Sequence, residues 1–226
     1  MFRIDVANYM KIKIQNIVIG VSLLILMASC KSESPALPYS YESNPQYTWG
    51  YVQFYGDYYK NYQNLNNVLS ISLFSKGLSI NSDEQLVGTG QFLFLEDVFS
   101  APADTMLRQG TYTIAETGVP FTFFSGKEFK NNNETKPSGA YIYYIEADAS
   151  KSKLQYITEG SFTVSIQNDT IYSVTCNFVT ADKKELKGNF KGVLLHYDES
   201  AKTPTSLSVR MENLRGLPVS FIHSPK

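Results

Sequence analysis

Reactive side chains are few in this chain of 226 residues, which holds two cysteines, Cys30 and Cys176, and two histidines, His196 and His223. The run His196-Tyr197-Asp198-Glu199 gathers one imidazole and two carboxylates. Successive residues on a strand point to opposite faces, so the run reads as a solvated strand end and not as a metal site. Glu96 and Asp97 have the residue types of a glycosidase pair. That chemistry depends on the separation of the two carboxyls across a site, which adjacency in sequence does not set. A catalytic thiol at Cys176 would need one of the two histidines beside it. Its place in an alternating run reads instead as a small buried apolar side chain. No Gly-x-Ser-x-Gly elbow, phosphate-cradling glycine loop or His-Glu-x-x-His occurs. No catalytic residue, metal ligand or cofactor site is therefore assigned.

The residue types that do concentrate are aromatic. Trp49, Tyr51, Tyr55, Tyr58, Tyr59 and Tyr62 fall within 14 residues. A strand turns half of such a set outward, and aromatics with a polar tip favour contact surfaces. These six are the candidate ligand or partner contacts. Stacking of sugar rings is one use, and contact with a second protein is another. The plainer alternative is that the rings cover the rim of a fold with little helix to shield it.

Cys30 is set apart by what precedes it. Lys11 and Lys13 lead into the apolar centre Ile17–Met27, followed by the small residues Ala28 and Ser29. This is the layout of a secretory signal, with Met10 as an alternative start. The 13 residues from Ile17 to Ser29 fall short of the roughly 20 that a membrane-spanning helix needs. Leu26-Met27-Ala28-Ser29-Cys30 resembles the bacterial lipobox. The resemblance implies a cleaved signal over 1–29 and acyl chains, palmitate among them, on Cys30. Two or more chains give stable anchoring where one gives only marginal binding. Lys31-Ser32-Glu33-Ser34 is similar to the tag that sends Bacteroidota lipoproteins to the outer face of the outer membrane.

Residues 30–48, with Pro35, Pro38 and Pro45 and no apolar rhythm, read as an extended tether. Residues 49–226 then form one domain, long enough to bury a core without staples. A lipidated Cys30 leaves Cys176 no disulfide partner within the chain. The chain carries 20 Lys+Arg and 21 Asp+Glu, and loss of residues 1–29 leaves a net charge of about −3. No basic patch stands out, which argues against nucleic acid as a partner.

The domain reads as strands. Gly50–Tyr55 alternates, and Tyr58–Tyr62 continues it after Gly56-Asp57. Leu69, Ile71 and Leu73 alternate with serines, and 76–84 is a polar loop. Gly88–Leu95 is apolar on both faces near its end, as in a strand covered on both sides. Phe121–Phe124 is short and apolar, 127–139 reads as an exposed mobile loop, and Ala140–Ile145 is aromatic. Gly160–Leu195 is a hairpin series turning at Gln167-Asn168-Asp169 and at 181–184. Gly188 and Gly192 leave gaps on its inward face, as if for a neighbour's ring. Leu207, Val209 and Met211 make a last strand. About ten strands without a helical period predict an all-β fold, an antiparallel β-sandwich or a barrel-like meander.

Three motifs, Phe54-Tyr55-Gly56-Asp57-Tyr58-Tyr59, Leu107-x-x-Gly110-x-Tyr112-x-Ile114 and Gly160-x-x-x-Val164, resemble a family of Bacteroidota surface lipoproteins. The likeness spans residues 49–196 and implies fold and location, with no catalytic residue to carry across. The expected function is a lipid-anchored binding or accessory protein at the cell surface, beside a TonB-dependent importer of glycans or peptides. A structural or adhesive surface component is the alternative, and a hydrolase is the third reading.

Overall fold

A computed structural model describes residues 42–82, 86–131, 134–146 and 152–200. The signal, Cys30, most of the tether and the strand expected at Leu207–Met211 lie outside these residues. Among the described residues there is no α-helix, only a 3-10 turn at Lys60–Tyr62. No helix among them is long and apolar enough to cross a membrane.

The strands in chain order are β1 (Gln46–Gly56), β2 (Asn67–Ser75), β3 (Leu78–Ile80), β4 (Leu86–Gly88) and β5 (Gly90–Ser100). Next come β6 (Gly110–Ile114), β7 (Thr122–Phe123), β8 (Lys127–Asn131), β9 (Glu134–Ser138) and β10 (Ala140–Ile145). The last are β11 (Lys153–Gln167), β12 (Ile171–Thr180), β13 (Glu185–Leu186), β14 (Asn189–Val193) and β15 (Leu195–Asp198).

The pairing closes on itself. β1, β2, β5, β10, β11 and β12 form an antiparallel meander, β12 pairs with β14, and β14 returns to β1. The closing pair is parallel. Seven strands that alternate in direction leave the first and last pointing the same way, so an odd ring has to close in parallel. β15 continues β14 along β1, from Tyr51↔Leu195 to Phe54↔Asp198. Of the two architectures expected, the chain adopts the barrel-like one, and closure leaves few strand edges open to unwanted pairing.

One strand of the ring is short. β10 fills the space between β5 and β11 over Gly90–Leu95 and Lys153–Tyr156. Beyond its end the gap is taken by the parallel pair β6–β7, with β7 on Val98 and β6 on Ser161–Val164. Where β5 changes partner it carries a bulge, marked by a register shift opposite Leu69–Ile71 and a left-handed Asp97 (φ 56°). The Glu96 carboxylate accepts from Gly139 N at 2.8 Å and Ser138 Oγ at 3.2 Å, tying the start of β10 to this point. Asp97 accepts the Tyr59 hydroxyl at 2.9 Å. Both acids are buried, and these bonds meet the cost of burying them.

Two apolar layers share the sheet. The barrel interior holds Val52, Ile71, Leu93, Tyr112, Phe123, Phe162, Val174, Cys176 and Phe178. The outer face of β1, β2 and β5 carries a second layer with Tyr55, Phe74, Phe92, Phe94 and Phe99. β2 and β5 are thus buried on both faces. The β3–β4 hairpin adds Leu78 and Leu86 to the outer layer.

The glycine-and-tyrosine motif has a local cause. Leu107 and Tyr112 are fully buried in the interior, and the Tyr112 hydroxyl donates to Arg108 O at 3.0 Å. Burial pushes that phenol up to about 12. Gly188 does face a ring: a Cβ there would stand 2.6 Å from Tyr47 Cε2.

The structure corrects three local expectations. Residues 58–62 form a turn capped by Gln63 in a left-handed conformation, not a strand. The polar stretch 76–84 contributes β3. The polar stretch 127–139 pairs as the ribbon β8–β9, from Lys127↔Ser138 to Asn131↔Glu134. Leu78 and Ile80 alternate in the first stretch and Phe129 stands alone in the second, but pieces this short carry little period-two signal.

Candidate functional site

The outer layer borders an open cleft of about 480 Å³. One wall is the β1–β2 connection, with Tyr59, Tyr62, Gln63, Asn64 and Asn66. The other is the β6–β7 connection, from Glu116 to Val119. Phe99 and Phe124 make an aromatic base, 5.0 Å apart between ring centroids. Tyr59 lies 5.9 Å from Phe99 and 6.2 Å from Tyr62, and its bond to Asp97 fixes the ring against that base.

The two walls are tied at one carbonyl. Asn64 Nδ2 and Asn66 Nδ2 both donate to Gly118 O, each at 2.9 Å, and Asn66 N donates to Asn64 Oδ1 at 3.0 Å. Gly118 takes φ +64°, and an added Cβ would stand 2.4 Å from Asn64 Nδ2. Gly118→Ala is therefore expected to lower stability by about 2 kcal/mol, through left-handed strain and one displaced hydrogen bond. Urea titration checks this, and an unchanged midpoint would show that the walls do not depend on this carbonyl.

Glu116 is the ionisable group at the cleft. Burial pulls its carboxyl up, but the hydroxyl and amide of Ser125 and the ammonium of Lys127 outweigh that and hold it below the usual range. Ser125 Oγ donates to Oε1 at 2.7 Å, Ser125 N donates to the same oxygen at 3.1 Å, and Lys127 Nζ approaches Oε2 at 3.3 Å. The exposed ion pair adds little stability. Its effect is to compensate the carboxylate locally.

Of the six candidate aromatics, Tyr59 and Tyr62 line the cleft. Tyr62 is 73% exposed. Trp49, Tyr51, Tyr55 and Tyr58 stand elsewhere in the outer layer. Trp49 stacks on Phe74 at 3.8 Å, and its Nε1 donates to Leu78 O at 2.8 Å. Tyr51 meets Tyr197 edge-on at 5.7 Å, and burial drives its phenol far up. Tyr55 and Tyr58 pack edge-on at 6.4 Å. The sequence reading missed Gln63, Asn64 and Asn66, although the amide-rich run Gln63–Asn67 after a tyrosine is a visible signal. Nothing in the sequence pointed to Glu116 or Gly118.

The other reactive residues are dispersed. Cys176 is buried in the interior, and burial pushes its thiol up, away from reactivity. Asp198 accepts the hydroxyl and amide of Ser200 at 2.6 and 2.9 Å, which hold its carboxyl low. Among the described residues no three His, Cys, Asp or Glu side chains gather as a metal site.

His196 lies opposite Val52 in register, 5.7 Å from the Tyr172 ring, and among the described residues neither ring nitrogen has a hydrogen-bond partner. Burial lowers its pKa below the usual 6.5. The folded state thus resists a proton that the unfolded chain accepts, so stability holds above 6.5 and falls as pH drops through the lowered folded value. The urea midpoint is expected to be lower at pH 5 than at pH 7.5, with the difference reduced in His196→Gln. An equal pH dependence in the variant would place the acid sensitivity elsewhere.

No family model matches the chain, and neither a curated protein nor a solved structure matches it.

Proposed function

We propose that this chain is a lipid-anchored binding or accessory protein on the outer face of the outer membrane, serving beside an importer of glycans or peptides. The observation that carries this reading is polarity along β1. Coming from the Cys30 side, the chain is bonded to the barrel from Glu42 and enters β1 at Gln46, and the cleft wall begins just past Gly56. The 11 residues of β1 span roughly 33 Å. An anchor before one end and a cleft beyond the other would present that cleft away from the lipid surface.

A second feature supports the accessory role. Val193, Leu195 and Tyr197 alternate along β14 and β15 and are 57%, 57% and 48% exposed. Such a strip suits contact with a larger protein. A purely structural or adhesive component would have no need of a cleft whose walls are held by specific bonds.

The test is metabolic labelling with palmitate followed by fractionation. The wild-type chain takes up label and sediments with the outer membrane, and Cys30→Ser does neither. A wild-type chain that stays unlabelled and in the cytosol ends this reading.

A further inference from the structure

We infer that the cleft between the β1–β2 and β6–β7 connections is a binding site for neutral carbohydrate. This rests on the reading of the chain as a binding protein and names its ligand class.

A sugar ring presents flat C–H faces and a rim of hydroxyls that each donate and accept. The cleft offers the complement to both. Tyr59 and Phe124, backed by the fully buried Phe99, supply aromatic surface, and Tyr62 stands 73% exposed at the margin, where it can cover a ring face. Around them are the amide of Gln63, the Asn66 Oδ1 acceptor and the hydroxyl of Thr117. Amides and hydroxyls both donate and accept, as sugar hydroxyls require. The volume of about 480 Å³ lies within the range of small-ligand sites.

Competing ligand classes fit less well. An anion would meet the Glu116 carboxylate and no uncompensated cation, because Lys127 already faces Glu116. A cation would find a carboxylate whose oxygens are already engaged by Ser125 and Lys127. A purely aliphatic ligand would desolvate the amides and hydroxyls without replacing their bonds, which costs about 1–3 kcal/mol for each such group. An extended peptide binds best by adding to a strand edge, whereas both walls here are connections between strands. A neutral polyhydroxylated ring satisfies each of these constraints.

The experiment is native affinity electrophoresis of the detergent-extracted full-length protein. Gels would contain starch, xylan, galactomannan or mixed-linkage glucan, with polygalacturonate and chondroitin sulfate as acidic counterparts. Retardation is expected in at least one neutral gel and in neither acidic one. Tyr62→Ala is expected to weaken the effect about tenfold, and Tyr62→Phe to stay within about threefold, since stacking needs the ring and not the hydroxyl. Tyr62 is surface-exposed, so loss of folding does not confound the comparison; a circular dichroism melt verifies this. Migration unaffected by every neutral polysaccharide, retardation by acidic gels alone, or undiminished binding by Tyr62→Ala each overturns the assignment. Palmitate labelling reports separately. An unlabelled chain that is still retarded refutes the anchor alone, and a labelled chain that no neutral gel retards refutes the ligand class alone.

Discussion

Gly160→Ala is expected to destabilise the barrel by about 4 kcal/mol or more, placing it among the rare severe single substitutions. Gly160 sits where β11 passes from its β10 pairing to its β6 pairing, next to the register shift between Ile157 and Glu159. Its φ is +116°, a conformation that side-chain-bearing residues rarely adopt. A Cβ there would stand 2.1 Å from Asn177 O and 2.8 Å from Phe178 Cα. Both neighbours are backbone atoms of the paired strand β12, so no side-chain rotation relieves the overlap. The ladder has to part, and with it the seam that holds β11 in the ring. Urea unfolding followed by tryptophan fluorescence reads the effect through Trp49. A midpoint equal to wild type would mean that β11 does not turn at this residue.

Phe162→Ala is expected to cost about 3–5 kcal/mol. Phe162 is fully buried, stacks on Tyr112 at 4.7 Å with an interplanar angle of 1°, and meets Phe123 at 5.2 Å. Truncation removes the ring joining β6, β7 and β11 where the barrel substitutes two short strands for one long one. The surrounding strands are tied by ladders and do not collapse readily into the space, so both the transfer loss and the cavity loss apply. Phe162→Leu, which keeps most of the volume, is expected to cost less than half as much. Similar losses for the two variants would indicate that ring geometry matters more than volume.

Much of the fold was readable where one face is buried and the other wet. Phe162, Val164 and Val174, Cys176, Phe178 fall on the interior face as their alternation predicts. The double-sided burial of β5 was signalled by Phe92-Leu93-Phe94-Leu95. What sequence order could not supply was closure. The parallel return of Gln46–Tyr47 onto Asn189–Phe190 joins residues some 140 positions apart, and local periodicity holds no information about such a pair. A strand was expected to turn half of the aromatic run before β2 outward, whereas its members in the outer layer are packed against residues gathered from β2, β3, β4 and β5. The cleft was half legible. Tyr59 and Tyr62 announce themselves, whereas Glu116 and Gly118 reach the site only because Asn64 and Asn66 bind a carbonyl 54 and 52 residues away.

Glu96 and Asp97 illustrate the same limit from the other side. As adjacent acids they had the composition of a catalytic pair. In the fold Glu96 holds Gly139 and Ser138 while Asp97 holds Tyr59. Their shared position at the bulge of β5 accounts for their burial without any reaction. Asp97 thereby links barrel closure to the cleft, because the residue that relieves the partner change on β5 also fixes an aromatic wall of the site.

A cleft beyond one end of β1, with the proposed tether before the other, is the central claim, and one accessibility measurement tests it directly. Tyr62→Cys places a thiol at the cleft margin, on a protein whose Cys176 is buried and whose Cys30 would be acylated. Intact cells are treated with a membrane-impermeant maleimide. The account predicts labelling of the variant on intact cells, with wild type unlabelled. Labelling that appears only after the outer membrane is broken would contradict it.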